Sequence, residues 1–143
     1  MLRGLICVLA LTGLTISLYF TFAYYGRMKK ARWVPGILRA REGSNCVTVV
    51  QTPYARVFGV PNSLLGVIYY VGLLVWALGC QRVEEDFPWF LWVLLTGASI
   101  SLVMARYLTY ALREKLRLTC PLCNLAHIVN IVLAVLLVLV ALR

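Results

Sequence analysis

Charged residues are spread unevenly along the chain. Four stretches, residues 5–25, 57–81, 87–105 and 118–142, contain no Asp, Glu, Lys or Arg, and each has at least 19 residues. A hydrocarbon core about 30 Å thick takes about 20 helical residues to cross. Lipid offers no partner to an open backbone group, so helices are the economical way to cross it. The pattern therefore predicts an all-α membrane protein, a four-transmembrane-helix bundle forming a single domain over residues 1–143, with spans at about 5–25, 63–80, 88–112 and 120–142. Arg3 ahead of the first apolar run resembles a signal peptide. The run is too long for a typical signal core, however, and no small-x-small cleavage site follows, so it reads as a span ending at Tyr24, Tyr25 and Gly26.

The polar segments complete the outline. The connection after the first span opens on Arg27, Lys29, Lys30 and Arg32, turns at Pro35-Gly36 and stays polar to Asn45. From Cys46 to Phe58 it is amphipathic, which predicts a short surface or re-entrant helix. Asn62 or Ser63 is placed to cap the second helix, Pro88 to open the third, and Thr119 to cap the fourth with Pro121 in its first turn. Trp33, Trp76, Trp89 and Trp92 read as an aromatic belt at the span ends.

Composition agrees with this outline. The chain is 62% hydrophobic and 13% charged, too little charge to coat a soluble bundle. The net charge of +9 reads as basic loops meeting anionic head groups rather than as a nucleic-acid surface. No predicted span contains Asp or Glu, which argues against a proton-coupled small multidrug transporter.

The candidate chemistry begins at Cys120-Pro121-Leu122-Cys123. Two cysteines three apart at a helix start form a redox-pair pattern, because the N-terminal end of a helix favours the thiolate that attacks a disulfide. Cys120, Cys123, His127 and Asn130 follow one another at helical spacing, which predicts a polar column along one face, with His127 and Asn130 bordering a cofactor pocket. Cys46, in the first connection, lies on the same membrane side as this pair because two spans separate them. Cys7 and Cys80 read as packing residues. The competing reading is a membrane metal-binding or scaffold protein using Cys46, Cys120, Cys123 and His127, although no second Cys-x-x-Cys pair is present to complete a zinc site.

Cys46-x-x-Val49, Tyr54-Ala55, Phe58-Gly59-Val60-Pro61-Asn62-Ser63-x-x-Gly66, Tyr69-Tyr70 and Cys120-x-x-Cys123 together resemble the vitamin K epoxide reductase family and its prokaryotic disulfide-forming homologues, in order and over essentially the whole chain. The resemblance implies a membrane thiol:quinone oxidoreductase that makes disulfides in partner proteins. Cys120 and Cys123 would be the redox centre, with Cys123 nearest the quinone, and Cys46 the loop shuttle that forms a transient disulfide with Cys120. Asn62 and His127 would contact the quinone head group, with Ser63 and Asn130 beside them. No thioredoxin-like domain is visible, so a separate thioredoxin-like or other thiol-containing protein would be the partner. The chain departs from the family in one respect. A second loop cysteine is expected several residues before Cys46, and here Ala40 is its nearest counterpart. Without it, a trapped Cys46–Cys120 disulfide, or a mixed disulfide with a partner, is expected, with impaired turnover.

Loop charge bears on orientation. Seven basic residues lie in the first connection, with Arg113, Lys115 and Arg117 before the last span, against Arg3, Arg82 and Arg143 on the other side. The positive-inside rule therefore predicts that the cysteine-bearing loops face the cytoplasm, inverted relative to most of the family. A cytoplasm-facing oxidant fits organisms with abundant cytosolic disulfides.

Overall fold

The computed structural model of the protein describes residues 1–25, 52–79, 86, 88–117 and 120–143. It contains helices α1 (Leu2–Tyr24), α2 (Asn62–Leu78), α3 (Phe90–Tyr110) and α4 (Pro121–Ala141). Three helical stretches, Leu2–Phe22, Phe90–Lys115 and Pro121–Ala141, are long and apolar enough to cross a membrane. The fourth helix, α2, is as apolar but has 17 residues. At 1.5 Å per residue it is about 26 Å long, at the lower edge of a spanning length.

α1 lies along both α2 and α4, while α3 rests on α4 and touches α2 only thinly. Lipid tails are as apolar as leucine, so helices in a membrane associate through close fit and internal hydrogen bonds rather than through escape from water. The fit is visible on α1, where Ile6 and Ala10 are fully buried one turn apart and pack with Leu73, Trp76, Leu133 and Leu137. One turn further, Gly13 leaves room for a ring. A Cβ there would land on the aromatic carbons of Tyr70. The outward faces stay apolar, with Ile68, Val71 and Val75 on α2 and Ile128, Ile131 and Val135 on α4 all exposed.

Hydroxyls inside the helices are satisfied locally. Thr12, Thr15, Thr96, Ser99 and Thr109 each donate to the carbonyl four residues earlier, at 2.8–3.0 Å. Thr21 donates to the Ser17 carbonyl at 2.8 Å, and its hydroxyl also lies 3.1 Å from that of Ser63, joining α1 to the first turn of α2.

Several local expectations change. Residues 52–61 are not a continuous amphipathic helix. Pro53–Ala55 forms one 3-10 turn, and then β1 (Arg56–Val57) pairs antiparallel with β2 (Val60–Pro61). Residues 46–51 lie outside the described residues. The hairpin turn places Phe58 at φ 53° and Gly59 at φ 81°, the left-handed geometry that a two-residue hairpin requires and that glycine tolerates best. The second helix is preceded by Pro61 at the cap position, so neither Asn62 nor Ser63 caps it. The third begins at Phe90, two residues after Pro88, and runs into a π-helical turn, Ala111–Leu116, that stops at Arg117 in the left-handed region. Cys120, not Thr119, caps the fourth, and Thr119 lies outside the described residues. Trp89 and Trp92 are exposed as a belt requires. Trp76, 1% exposed, is a core residue with the Arg3 guanidinium 5.4 Å from its ring centre. Trp33 lies outside the described residues.

Replacing Gly13 with alanine should lower stability by roughly 1–3 kcal/mol, because the added methyl overpacks the α1–α2 contact. The expected readout is a lower thermal unfolding midpoint of the purified protein in detergent, and an unchanged midpoint would contradict this packing.

Candidate functional site

α4 starts abruptly because Pro121 follows Cys120. A residue before proline is pushed out of the helical region, and Cys120 is extended, at φ −133° and ψ 106°. In that cap position its sulfur accepts the backbone N–H of Cys123 at 3.4 Å. Cys120 is 2% exposed and packs with Tyr19, Phe20, Leu108 and Leu112. It is disulfide-bonded, whereas Cys123 is a free, buried thiol, so the two neighbours are not bonded to each other.

Cys123 opens onto a cavity of about 380 Å³ bordered by all four helices. Ile16, Ser17 and Phe20 of α1 form one wall, and Asn62, Ser63, Leu65, Gly66, Tyr69 and Tyr70 of α2 another. α3 contributes Gly97, Ile100, Ser101, Met104, Ala105 and Leu108. α4 adds Cys123, Ala126, His127 and Asn130. Ala55, Val57 and Pro61, from the 3-10 turn and the hairpin, close the same space on the side of the first connection. Two aromatic contacts hold that cover down. The rings of Tyr54 and Tyr107 lie 6.4 Å apart, and the Arg56 guanidinium lies 5.2 Å from the ring centre of Tyr24.

The polar groups on the wall are few and differ in their partners. The Tyr70 hydroxyl donates to Asn130 Oδ1 at 2.6 Å. His127 Nε2 is sealed from solvent and has no hydrogen-bond partner among the described residues. A buried donor or acceptor left unpaired costs about 1–3 kcal/mol, so this nitrogen calls for a polar partner that the described residues do not supply. The rest of the wall is largely aliphatic and aromatic, suited to a flat apolar ring.

The structure thus brings Cys123, Asn62, Ser63, His127 and Asn130 onto one cavity. It places Cys120 behind the wall, so the expected column of four polar residues has three members in the cavity. Cys46 and Cys80 lie outside the described residues. Cys7 is a free thiol packed against the core cluster of α1, as a packing residue would be. Among the described residues, no three His, Cys, Asp or Glu side chains gather into a metal-holding group. Sequence reasoning missed Tyr69, Tyr70 and Ser17 as wall residues. Hydroxyl-bearing side chains in the middle of apolar spans were the available signal.

Comparison with the curated proteins returned no match. The profile of the Vitamin K epoxide reductase family matches residues 4–138 of the 143. Members of that family are membrane thiol–disulfide oxidoreductases. With nearly its whole length matched, and with a helical membrane architecture that encloses a cysteine-walled cavity, this chain belongs to the vitamin K epoxide reductase family.

Proposed function

We propose that this protein is a quinone-dependent disulfide-forming oxidoreductase in which Cys123 faces the quinone, Cys120 exchanges disulfides with Cys46, and a separate thiol protein supplies the electrons. The observation that carries this reading is the contrast between the two α4 cysteines: a free thiol on the cavity wall and a disulfide-bonded sulfur behind it. In a resting Cys-x-x-Cys oxidant the two would be joined to each other. Their separation fits a state in which the loop cysteine has already attacked.

The exchange balances as follows. The Cys46 thiolate attacks the Cys120 sulfur of a Cys120–Cys123 disulfide. The Cys46–Cys120 bond forms, the Cys120–Cys123 bond breaks, and Cys123 leaves with the electron pair as a thiolate. After that exchange a partner thiolate attacks the Cys46 sulfur of the Cys46–Cys120 bond, joining the partner to Cys46 and releasing Cys120 as a thiolate. A second partner thiolate then closes the partner's disulfide and releases the Cys46 thiolate. Cys120, extended at the helix cap, lies behind the cavity wall, while Cys123 stays on the helical face that lines the cavity. A bound quinone supplies the acceptor for two electrons and two protons. Asn62, Ser63, His127 and Asn130 are the residues that would hold it, His127 or Asn62 donating a hydrogen bond to a ring oxygen in a low-dielectric pocket, where a placed donor has most effect. In net terms, two thiols become one disulfide.

Without a second loop cysteine at position 40, Cys46 has no neighbour in the loop to resolve it. The chain is then held at the Cys46–Cys120 stage and turns over slowly. Ala40→Cys should raise quinone-dependent thiol oxidation by the purified protein, and Cys123→Ser in that background should abolish it while leaving the thermal midpoint near that of the parent. If quinone-dependent oxidation survives loss of the Cys123 sulfur, the proposal is wrong. Peptide mapping under non-reducing conditions should recover residues 46 and 120 in one linked peptide. Free thiols at both positions under oxidising conditions would refute the trapped state.

The charge asymmetry supports a cytoplasmic orientation of the cysteine-bearing loops. A membrane-impermeant thiol reagent applied to intact cells, after mild reduction with a permeant phosphine, should leave Cys46 unlabelled until the cells are permeabilised. Labelling of Cys46 in sealed cells would reverse the assignment.

A further inference from the structure

We infer that Tyr70 is a positioning residue that holds Asn130 as a second hydrogen-bond donor, so that the cavity selects a ring carrying two separated oxygen acceptors. This inference rests on the proposed quinone site and adds to it a residue and a selection rule.

A carboxamide has one accepting end and one donating end. At Asn130 the accepting end is taken, since Oδ1 receives the Tyr70 hydroxyl at 2.6 Å. The donating end has no partner among the described residues. It is also not sealed in: among the described residues the buried polar side-chain atoms lacking partners are Trp76 Nε1 and His127 Nε2, and Asn130 lines the cavity. Its N–H bonds therefore face open space. Tyr70 is well placed to hold it there. The Tyr70 ring is 2% exposed and sits where a Cβ on Gly13 would otherwise lie, so its hydroxyl has little freedom to swing away.

Asn130 and His127 are three residues apart on one helix, so their backbones differ by about 4.5 Å along the axis. Both side chains line the one cavity, so groups from successive turns can address different atoms of a single bound ring. One oxygen falls to His127 or Asn62, as proposed above, and the other to the Asn130 amide. A ring with a single oxygen could use only one of the two.

The test is a binding titration of the full chain in detergent, following quenching of tryptophan fluorescence by two probes. One probe is a para-naphthoquinone. The other is a naphthalenone of the same ring size with one carbonyl. Tyr70→Phe keeps the ring that fills the space beside Gly13 and removes only the hydroxyl. Tyr70→Phe and Asn130→Ala should each weaken naphthoquinone binding by about three- to tenfold, the effect of one lost hydrogen bond. Naphthalenone affinity should not change. The double variant should be no weaker than the poorer single one, because both remove the same donor. Equal losses for both probes would mean the pair acts only as packing, and unchanged naphthoquinone binding would mean that Asn130 donates nothing. Either result overturns the inference and leaves the quinone site standing. A wild-type chain that bound neither probe would overturn the quinone site and this inference together.

Discussion

Inside a hydrocarbon layer a polar group has no water to fall back on, and this protein is organised around that constraint. Helix hydroxyls return to their own backbone one turn earlier. Where two helices meet, polar groups pair across the seam, Thr21 with Ser63 and Tyr70 with Asn130. Arg3, near the start of α1, lies over the Trp76 ring. Against that background an unpaired buried nitrogen carries information. Among the described residues there are two such atoms, Trp76 Nε1 in the core and His127 Nε2, and only the second belongs to a residue on the wall of the cavity onto which Cys123 opens.

The second organising feature is the break between Cys120 and Cys123. Three residues apart on a helix, they would share a face and an environment. Pro121 pushes Cys120 out of helical geometry, so only Cys123 reaches the cavity, although both cysteines sit in one buried cluster with Tyr19, Phe20, Leu108 and Leu112. One backbone constraint thus leaves one of two clustered cysteines on the cavity wall and the other behind it. The proposed exchange assigns these two positions different partners, the cavity for Cys123 and the loop cysteine for Cys120.

The cover of the cavity is built economically. A 3-10 turn and a two-residue hairpin are too short to be stable alone. They are held by Tyr54 against Tyr107, by Arg56 against Tyr24, and by the direct continuation of β2 into α2. The hairpin tip pushes Phe58, fully exposed, into the left-handed region, so part of the cover's conformation is maintained at a local steric cost.

Much of this was legible in the order of residues alone. Gaps between charges are long-range facts that survive any arrangement of the helices, so the four apolar segments, the bundle class and the placing of Cys123, His127 and Asn130 on one helical face could be read from the sequence. The wall position of Asn62 and Ser63 came with the family motif. The withdrawal of Cys120 from the polar column was also written in the sequence, in Pro121, but helical periodicity alone overlooked it. Other features depended on contacts between segments distant in the chain. Trp76 is a core residue because antiparallel packing of α1 and α2 brings Arg3 and Ile6 to it, and no local pattern separates it from an interfacial tryptophan. The partnership of Tyr70 with Asn130 joins residues 60 positions apart, across a gap that the missing side chain of Gly13 helps to make possible. Periodicity assigns each side chain to a face of its own helix. Only the packing of the helices decides what that face meets, and here that decided which polar groups are paired and which are left open to a ligand.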